Sequence, residues 1–274
     1  MGFGGFFNYE KPGPGIKKDG PQKKGFFVFF EIWFRNFWKL ITVNFMYSLF
    51  TVLLIPSGLG AAGMTNVARN LARDKHSFGI SDFFETIGKN WKQALPAGII
   101  NTVVTLLLGF AIYFYIFGND IWSILGFGFS VALYITFSFM KYHVWLLIIT
   151  FKDLSLKNVY KNSFLFVFLN FKANLLIGIT ELLITVGLIL LFFVPYYIVW
   201  SISIFLAIFI LPGFVNLMIQ TLIFPKVKKY MIDPYYEEHP GEDIEQRRNL
   251  GLEIEEEEKS VFEDNTTNPE ETEE

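Results

Sequence analysis

The stretch Leu95–Phe117, LPAGIINTVVTLLLGFAIYFYIF, decides the fold. It contains no Asp, Glu, Lys or Arg, and it exceeds the roughly 20 apolar residues that an α-helix needs to cross the hydrocarbon core of a bilayer. Four further stretches meet the same requirement: Phe37–Ile55, Ile121–Met140, Leu175–Phe193 and Tyr197–Phe224. The sequence therefore predicts an all-α fold, a polytopic transmembrane helix bundle.

The composition agrees with a lipid environment and excludes several kinds of site. Charged residues make up 18% of the 274 residues, against about 25% in soluble domains. The absence of cysteine excludes disulfides, thiolate catalysis and iron–sulfur clusters. The three histidines lack metal-ligand spacing, and the sequence has no Walker A, Gly-x-Ser-x-Gly or His-Glu-x-x-His motif. We therefore expect a non-enzymatic protein with no cofactor, no metal and no nucleic-acid partner.

The charge is distributed unevenly along the chain. Residues 1–230 carry 20 Lys and Arg against 9 Asp and Glu, whereas residues 231–274 carry 3 against 17. Blocks of like charge are usually solvated. We expect a flexible basic cytoplasmic leader at 1–25, a transmembrane helical domain at 26–230, and an acidic disordered cytoplasmic tail at 231–274.

Most basic residues lie in the longer connections. Arg69–Lys92 holds five Lys or Arg and Lys152–Lys172 holds four, and the positive-inside rule places both segments in the cytoplasm. We therefore expect a cell-membrane protein with both termini cytoplasmic. The chain must then return before Arg69, and the short, small-residue stretch Leu59–Ala72 is the candidate. This gives six membrane segments, one of them short, in three helical hairpins. Alternatively, Leu59–Ala72 is a re-entrant or surface helix and the N-terminus lies outside.

An internal repeat supports this organisation. Asn90–Thr105 and Asn170–Thr185 are identical at six of 16 positions at an offset of 80 residues. Amphipathic, aromatic-rich stretches precede the predicted membrane entries, and their composition is typical of interfacial helices. These stretches are Phe26–Phe37, Phe83–Trp91 and Val159–Phe171.

The repeat places Asn101 and Glu181 at equivalent positions inside membrane helices, with Thr105 and Thr185 four residues later on the same faces. An acid near mid-bilayer costs about 2.5–3.5 kcal/mol on insertion scales, so it should face protein or water. These residues either line a path for a solute or proton, or form hydrogen bonds between closely packed helices. The second interpretation is favoured, because small and polar residues commonly join membrane helices.

Other polar residues have a simpler interpretation. Asn216 and Gln220 lie one turn apart in the last stretch, and we expect both to form interhelical hydrogen bonds. Pro212 should kink that helix. Lys141 and His143 follow the predicted end of the Ile121–Met140 helix. Lys141 should snorkel to the interface, and His143 should lie there without a specific role.

Several motifs resemble the YesL-like proteins, a family of bacterial membrane proteins, over most of residues 1–230. The matching segments are Phe6–Gly15 (FFNYEKPGPG), Phe29–Lys39 (FFEIWFRNFWK), Pro56–Met64 (PSGLGAAGM), Asp82–Phe84 (DFF) and Lys89–Gln93 (KNWKQ). The resemblance implies a cell-membrane protein of Gram-positive-type bacteria whose genes often accompany carbohydrate ABC-uptake systems.

We therefore expect this protein to be a non-enzymatic accessory membrane protein. The resemblance suggests association with a carbohydrate ABC-uptake system, with the lipid bilayer, ABC sugar-transporter subunits or a second copy as partners. The alternative is a transport protein, either a permease subunit or a small channel, with a polar path near Asn101 and Glu181. Ser81–Pro96 lacks the Ala-Ala and the spacing of an ABC permease coupling loop, which argues against a permease subunit of that type.

Overall fold

The computed structural model describes residues 25–151 and 154–238, and every regular element in those ranges is helical. The predicted leader, up to residue 24, and the predicted tail beyond Glu238 lie outside them. The helices are α1 Gly25–Arg35, α2 Phe37–Val52, α3 Ser57–Ala72, α4 Ile80–Ile116, α5 Ile121–Thr150, α6 Leu156–Leu169, α7 Phe171–Leu191, α8 Tyr197–Phe205, α9 Leu211–Val227 and α10 Asp233–Glu238. Short π-helical segments, Leu206–Ile210 and Lys228–Ile232, join the last three helices.

In the described residues, four helical units are long and apolar enough to cross a membrane: α4, α5, α7 and the continuous helix Tyr197–Tyr235. Helices α2 and α3 have 16 residues each, about 24 Å at 1.5 Å per residue, and the hydrocarbon core is about 30 Å thick. The predicted full-length segment Phe37–Ile55 is therefore corrected, because α2 ends at Val52 and Leu54 takes a left-handed backbone with φ 58° before Pro56. The all-α fold with several candidate membrane spans is confirmed for the described residues, whereas six segments in three hairpins stays a prediction.

Helices α2 and α3 pack antiparallel. A Cβ added to Gly60 in α3 would lie 2.7 Å from the Cβ of Phe50 near the end of α2. At the opposite end, a Cβ on Gly79, after α3, would lie 3.1 Å from the Cγ of Lys39. The start of α2 and the segment after α3 therefore lie at the same end of the bundle.

The short helix α3 is the most enclosed element of the bundle. Most of its residues are buried, and it packs against α2, α4, α5 and α9. Small side chains permit this, because they let helix backbones approach closely in a membrane. Gly58 of α3 and Gly98 of α4 meet directly, since a Cβ on Gly58 would lie 2.7 Å from the Cα of Gly98. The predicted helix at Leu59–Ala72 is therefore present and enclosed by its neighbours.

Large apolar side chains cover the outside of the candidate spans. On α4, Leu106, Phe110 and Phe114 are each more than 60% exposed, and α5 and α7 present similar surfaces. Soluble monomers rarely expose contiguous apolar surface on this scale. These faces are therefore suited to lipid, and the buried apolar residues form two clusters between the helices, one around α2 and α3 and the other around α5, α6 and α9.

Three element boundaries differ from the predicted ones. The amphipathic stretch Phe83–Trp91 is continuous with the membrane segment that follows, because α4 runs unbroken through Pro96. Helix α5 continues to Thr150, so Lys141 and His143 lie within it and not at its end. The last helix continues to Glu238, and Ile232 is buried, so the first residues of the predicted tail are helical.

Candidate functional site

A half-open cavity of about 250 Å³, lined by polar and apolar residues, lies between α2, α3, α5, α7 and α9. We call it the polar cavity after the polar side chains named next. Its polar lining side chains are Tyr47, Thr65, Lys141, Tyr142, Glu181 and Asn216. Each comes from a helix that also contributes apolar residues to the lipid-facing surface or the core. The helices therefore gather isolated polar residues, distant in sequence, around one space.

Glu181 is held in this cavity by α5. The Tyr142 hydroxyl donates a hydrogen bond to Oε2 of Glu181 at 2.7 Å. Close packing of the two helices permits this bond, because Gly178 has no side chain where the Phe139 ring approaches: a Cβ there would lie 2.8 Å from the ring. The carboxylate therefore has a fixed partner, as an acid within an apolar helix requires.

Lys141 brings a positive charge to the same cavity. The ion pairs between described residues are Arg35–Asp74 and Lys89–Glu85, so Lys141 and Glu181 are not directly paired. An ammonium group and a carboxylate on separate walls can each contact a polar solute placed between them. Sequence reasoning missed this role because it placed Lys141 at a helix end. The apolar run Val144–Ile149, which prolongs α5, is the signal that could have revealed it.

The α9 wall of the cavity is an irregular part of the last helix. Leu211 and Pro212 line the cavity directly after the π-helical segment Leu206–Ile210. Pro212 has no N–H to donate to the Ile208 carbonyl four residues earlier, and Ser48 of α2 donates to that carbonyl at 3.1 Å. Asn44 Nδ2 donates to the Phe209 carbonyl at 2.6 Å. The sequence predicts a kink at Pro212; the structure has a π-helical segment directly before it, and α2 satisfies the backbone there.

Asn216 and Gln220 differ in their surroundings. The Asn216 amide donates to the Pro212 carbonyl at 3.2 Å, and its Oδ1 accepts a hydrogen bond from Thr65 of α3 at 3.5 Å. Asn216 thus contacts α3 across the helix interface, at the limit of hydrogen-bonding distance. Gln220 is buried, but neither its Nε2 nor its Oε1 has a hydrogen-bond partner, so the bond predicted for it is not formed.

Asn101 lies outside the cavity, at a second contact. Tyr160 of α6 donates to Oδ1 of Asn101 at 2.8 Å and lies 3.3 Å from the Ala97 carbonyl. Thr105 and Thr185 are half-buried and do not line the cavity. The structure thus brings Glu181 and Asn216 together and leaves Asn101, Thr105, Thr185 and Gln220 apart from them.

His143 is buried between α5 and α6. Its Nδ1 lies 3.0 Å from the Phe139 carbonyl and its Nε2 lies 3.1 Å from Nδ2 of Asn170. A neutral ring with the proton on Nδ1 satisfies both contacts, because a carbonyl accepts and an amide NH₂ donates. The ring also stacks on Phe166 at 5.6 Å between centroids. His143 is therefore a packing residue that joins two helices.

Comparison with protein-family models, curated proteins and solved structures found no match. The similarity to the YesL-like family stays a prediction from the sequence motifs. Function is therefore inferred from the cavity itself.

Proposed function

We propose that this protein is a non-enzymatic multi-pass membrane protein that binds a small polar solute in the cavity around Glu181. One observation carries the proposal: a carboxylate, an ammonium group and an amide line a single half-open cavity of about 250 Å³ between the helices. Ionisable residues at membrane depth are costly, and they commonly mark solute or ion pathways. The need for hydrogen bonds between helices explains some of the polar side chains that line the cavity. It does not explain Lys141, which forms no ion pair there.

The lining favours a polyhydroxylated solute of about monosaccharide size. Trp145, Tyr47 and Tyr142 contribute aromatic surface, while Glu181 and Asn216 contribute hydrogen-bonding groups. Ligand sites commonly combine a mostly apolar or aromatic wall with a few polar groups that fix orientation. The resemblance to the YesL-like family suggests a carbohydrate ABC-uptake system as the setting. An accessory protein of such a system would bind the solute without chemical change.

Binding can be tested with the purified full-length protein in a mild detergent. We expect monosaccharides to raise its melting temperature in a saturable manner, and Glu181→Gln or Lys141→Gln to weaken the response. The matched control is Lys172→Gln, which removes a lysine that is exposed at the start of α7. An equal response in the cavity variants and the control would refute the proposed site. Co-purification of ABC permease subunits would test the accessory role separately.

A transport function is the second candidate, and the irregular last helix favours it. Transporters often bind solutes where a membrane helix is interrupted, since such backbone is tolerated where it lines a cavity. Here the interruption at Leu206–Ile210 leads directly into Pro212 on the cavity wall. Reconstitution into liposomes separates the two functions, because a transporter would accumulate labelled sugar inside the vesicles and a binding protein would not.

A further inference from the structure

Helices α3 and α9 run side by side in the same direction. The Thr65 hydroxyl of α3 lies 3.5 Å from Oδ1 of Asn216 in α9. Further along, the Arg73 guanidinium, directly after α3, lies 4.9 Å from the centre of the Phe224 ring in α9. The chain advances by the same number of residues between the two contacts on each side, from 65 to 73 and from 216 to 224. The two helices are therefore parallel and in register.

Arg69 of α3 and Gln220 of α9 occupy the level between these two contacts. Residues four apart share a helix face, so both side chains lie on the faces where the helices meet. Both are buried, with exposed fractions of 8% for Arg69 and 1% for Gln220. We call the shared face formed by Thr65, Arg69, Arg73, Asn216 and Gln220 the polar seam.

Several buried polar atoms of the seam have no hydrogen-bond partner among the described residues. The terminal nitrogens of Arg69 donate to Thr150 of α5 and to Asn66, at 3.1 and 2.7 Å, but its Nε has no acceptor. Both amide atoms of Gln220 and both terminal nitrogens of Arg73 also lack partners. Buried donors and acceptors are costly when unpaired, and water commonly joins such groups. The seam therefore has the chemistry of a hydrated contact.

The polar seam begins at the polar cavity and leads to one end of the bundle. Thr65 and Asn216 line the cavity, and Arg69 and Gln220 follow one helical turn later. Arg73 is half-buried and lies beyond the last residue of α3. Water along the seam would therefore connect the polar cavity with the membrane face at which α3 ends.

Two positive charges lie along this route. Neither Arg69 nor Arg73 forms an ion pair with a described residue. The Phe224 ring attracts the Arg73 guanidinium through its π face, but it adds no negative charge. Arginine and lysine side chains that line a narrow polar passage admit anions and form an electrostatic barrier to cations. A neutral solute meets no such barrier.

We propose that the polar seam is a hydrated passage between the polar cavity and the membrane face at the end of α3, and that Arg69 and Arg73 exclude cations from it. The passage admits neutral and anionic polar solutes. This inference rests on the proposed function, because it gives the solute of the polar cavity a way in from one side. The barrier at the arginines would let a polar solute reach the cavity without a leak of cations.

The test measures how fast Gln220→Cys reacts with two water-soluble thiol reagents in the full-length protein in mild detergent. The chain has no cysteine of its own. The reagents are the anionic sulfonatoethyl and the cationic trimethylammonioethyl methanethiosulfonate, and each rate is divided by that of the same reagent with a free thiol. We expect Gln220→Cys to react, with a preference of about ten-fold or more for the anionic reagent. The matched control is Leu217→Cys, in the same helix but fully buried in an apolar cluster, which should react with neither.

Removal of an arginine tests the barrier to cations. Arg69→Gln in the Gln220→Cys background should reduce the preference for the anionic reagent several-fold. If that variant is poorly folded, Arg73→Gln replaces it, because Arg73 is only half-buried. Equal reactivity of Gln220→Cys and Leu217→Cys would show that the seam is dry and would overturn the proposal. So would a preference that neither arginine substitution changes. Reactivity at position 220 requires no bound sugar, so failure of sugar binding in the polar cavity would be seen separately.

Discussion

The Tyr142 hydroxyl donates a hydrogen bond to the Glu181 carboxylate at 2.7 Å, and this bond joins α5 to α7 on the wall of the polar cavity. Glu181 thus has both a partner between helices and access to a space that can hold a solute. These two roles predict different effects of substitution. A structural role affects stability, and a binding role affects the response to solute.

Glu181→Gln should preserve stability and weaken solute binding. Glutamine keeps the shape and can still accept a hydrogen bond from Tyr142, so the free energy of unfolding should change by no more than about 1 kcal/mol, the scale for bonds between membrane helices. Glu181→Leu should cost more, because it leaves the Tyr142 hydroxyl unpaired. Thermal unfolding with and without solute measures both effects, with Thr185→Val on the same helix as control. A glutamine variant that is stable and binds solute normally would leave only the structural role.

The sequence predicted the positions of the helices better than the contacts of the polar residues between them. Apolar runs located α7 and the end of α4 closely, because hydrocarbon thickness fixes the length of such runs. Lys141 was misplaced because a charge normally ends a membrane segment. In the structure it faces a cavity built by four other helices, and those tertiary neighbours leave no local trace in the sequence. The same reason explains why the tyrosine partners of Glu181 and Asn101 could not be identified.

The contact between Gly58 and Gly98 predicts a position-specific effect within α4. Gly98→Ala should lower the free energy of unfolding by about 1–3 kcal/mol, the usual cost of overpacking, since its Cβ would lie 2.6 Å from the Cα of Gly58. Gly109→Ala in the same helix is the control. A Cβ at Gly109 has no neighbour within 4 Å, so alanine there should be neutral or stabilise by up to about 1 kcal/mol. Similar melting temperatures for the two variants would contradict the close contact of α3 with α4.

The antiparallel pairing of α2 and α3 predicts the topology of the first half of the chain. Because Gly79 lies against Lys39, residues at both positions should face the same side of the membrane, whether or not the short pair crosses it fully. The chain has no cysteine, so single cysteines can be introduced without background. Trp38→Cys and Phe78→Cys should react with an impermeant maleimide only from the cytoplasmic side, and Asn119→Cys only from the outside. Labelling of Trp38→Cys and Phe78→Cys from opposite sides would contradict the pairing.

The hydrogen bond from Ser48 to the Ile208 carbonyl predicts energetic coupling between Ser48 and Pro212. In the wild type, Ser48→Ala should cost about 1 kcal/mol, because Pro212 cannot donate to that carbonyl. In a Pro212→Ala background, the backbone N–H at position 212 can donate to the Ile208 carbonyl in place of the Ser48 hydroxyl. Ser48→Ala should therefore lower the free energy of unfolding by less in that background. Melting temperatures of the wild type, both single variants and the double variant give the coupling energy. Ser201 provides the control, since its hydroxyl bonds to the Tyr197 carbonyl within its own helix. Ser201→Ala should therefore be additive with Pro212→Ala. An equal cost of Ser48→Ala in both backgrounds would show that α2 does not support the interrupted helix.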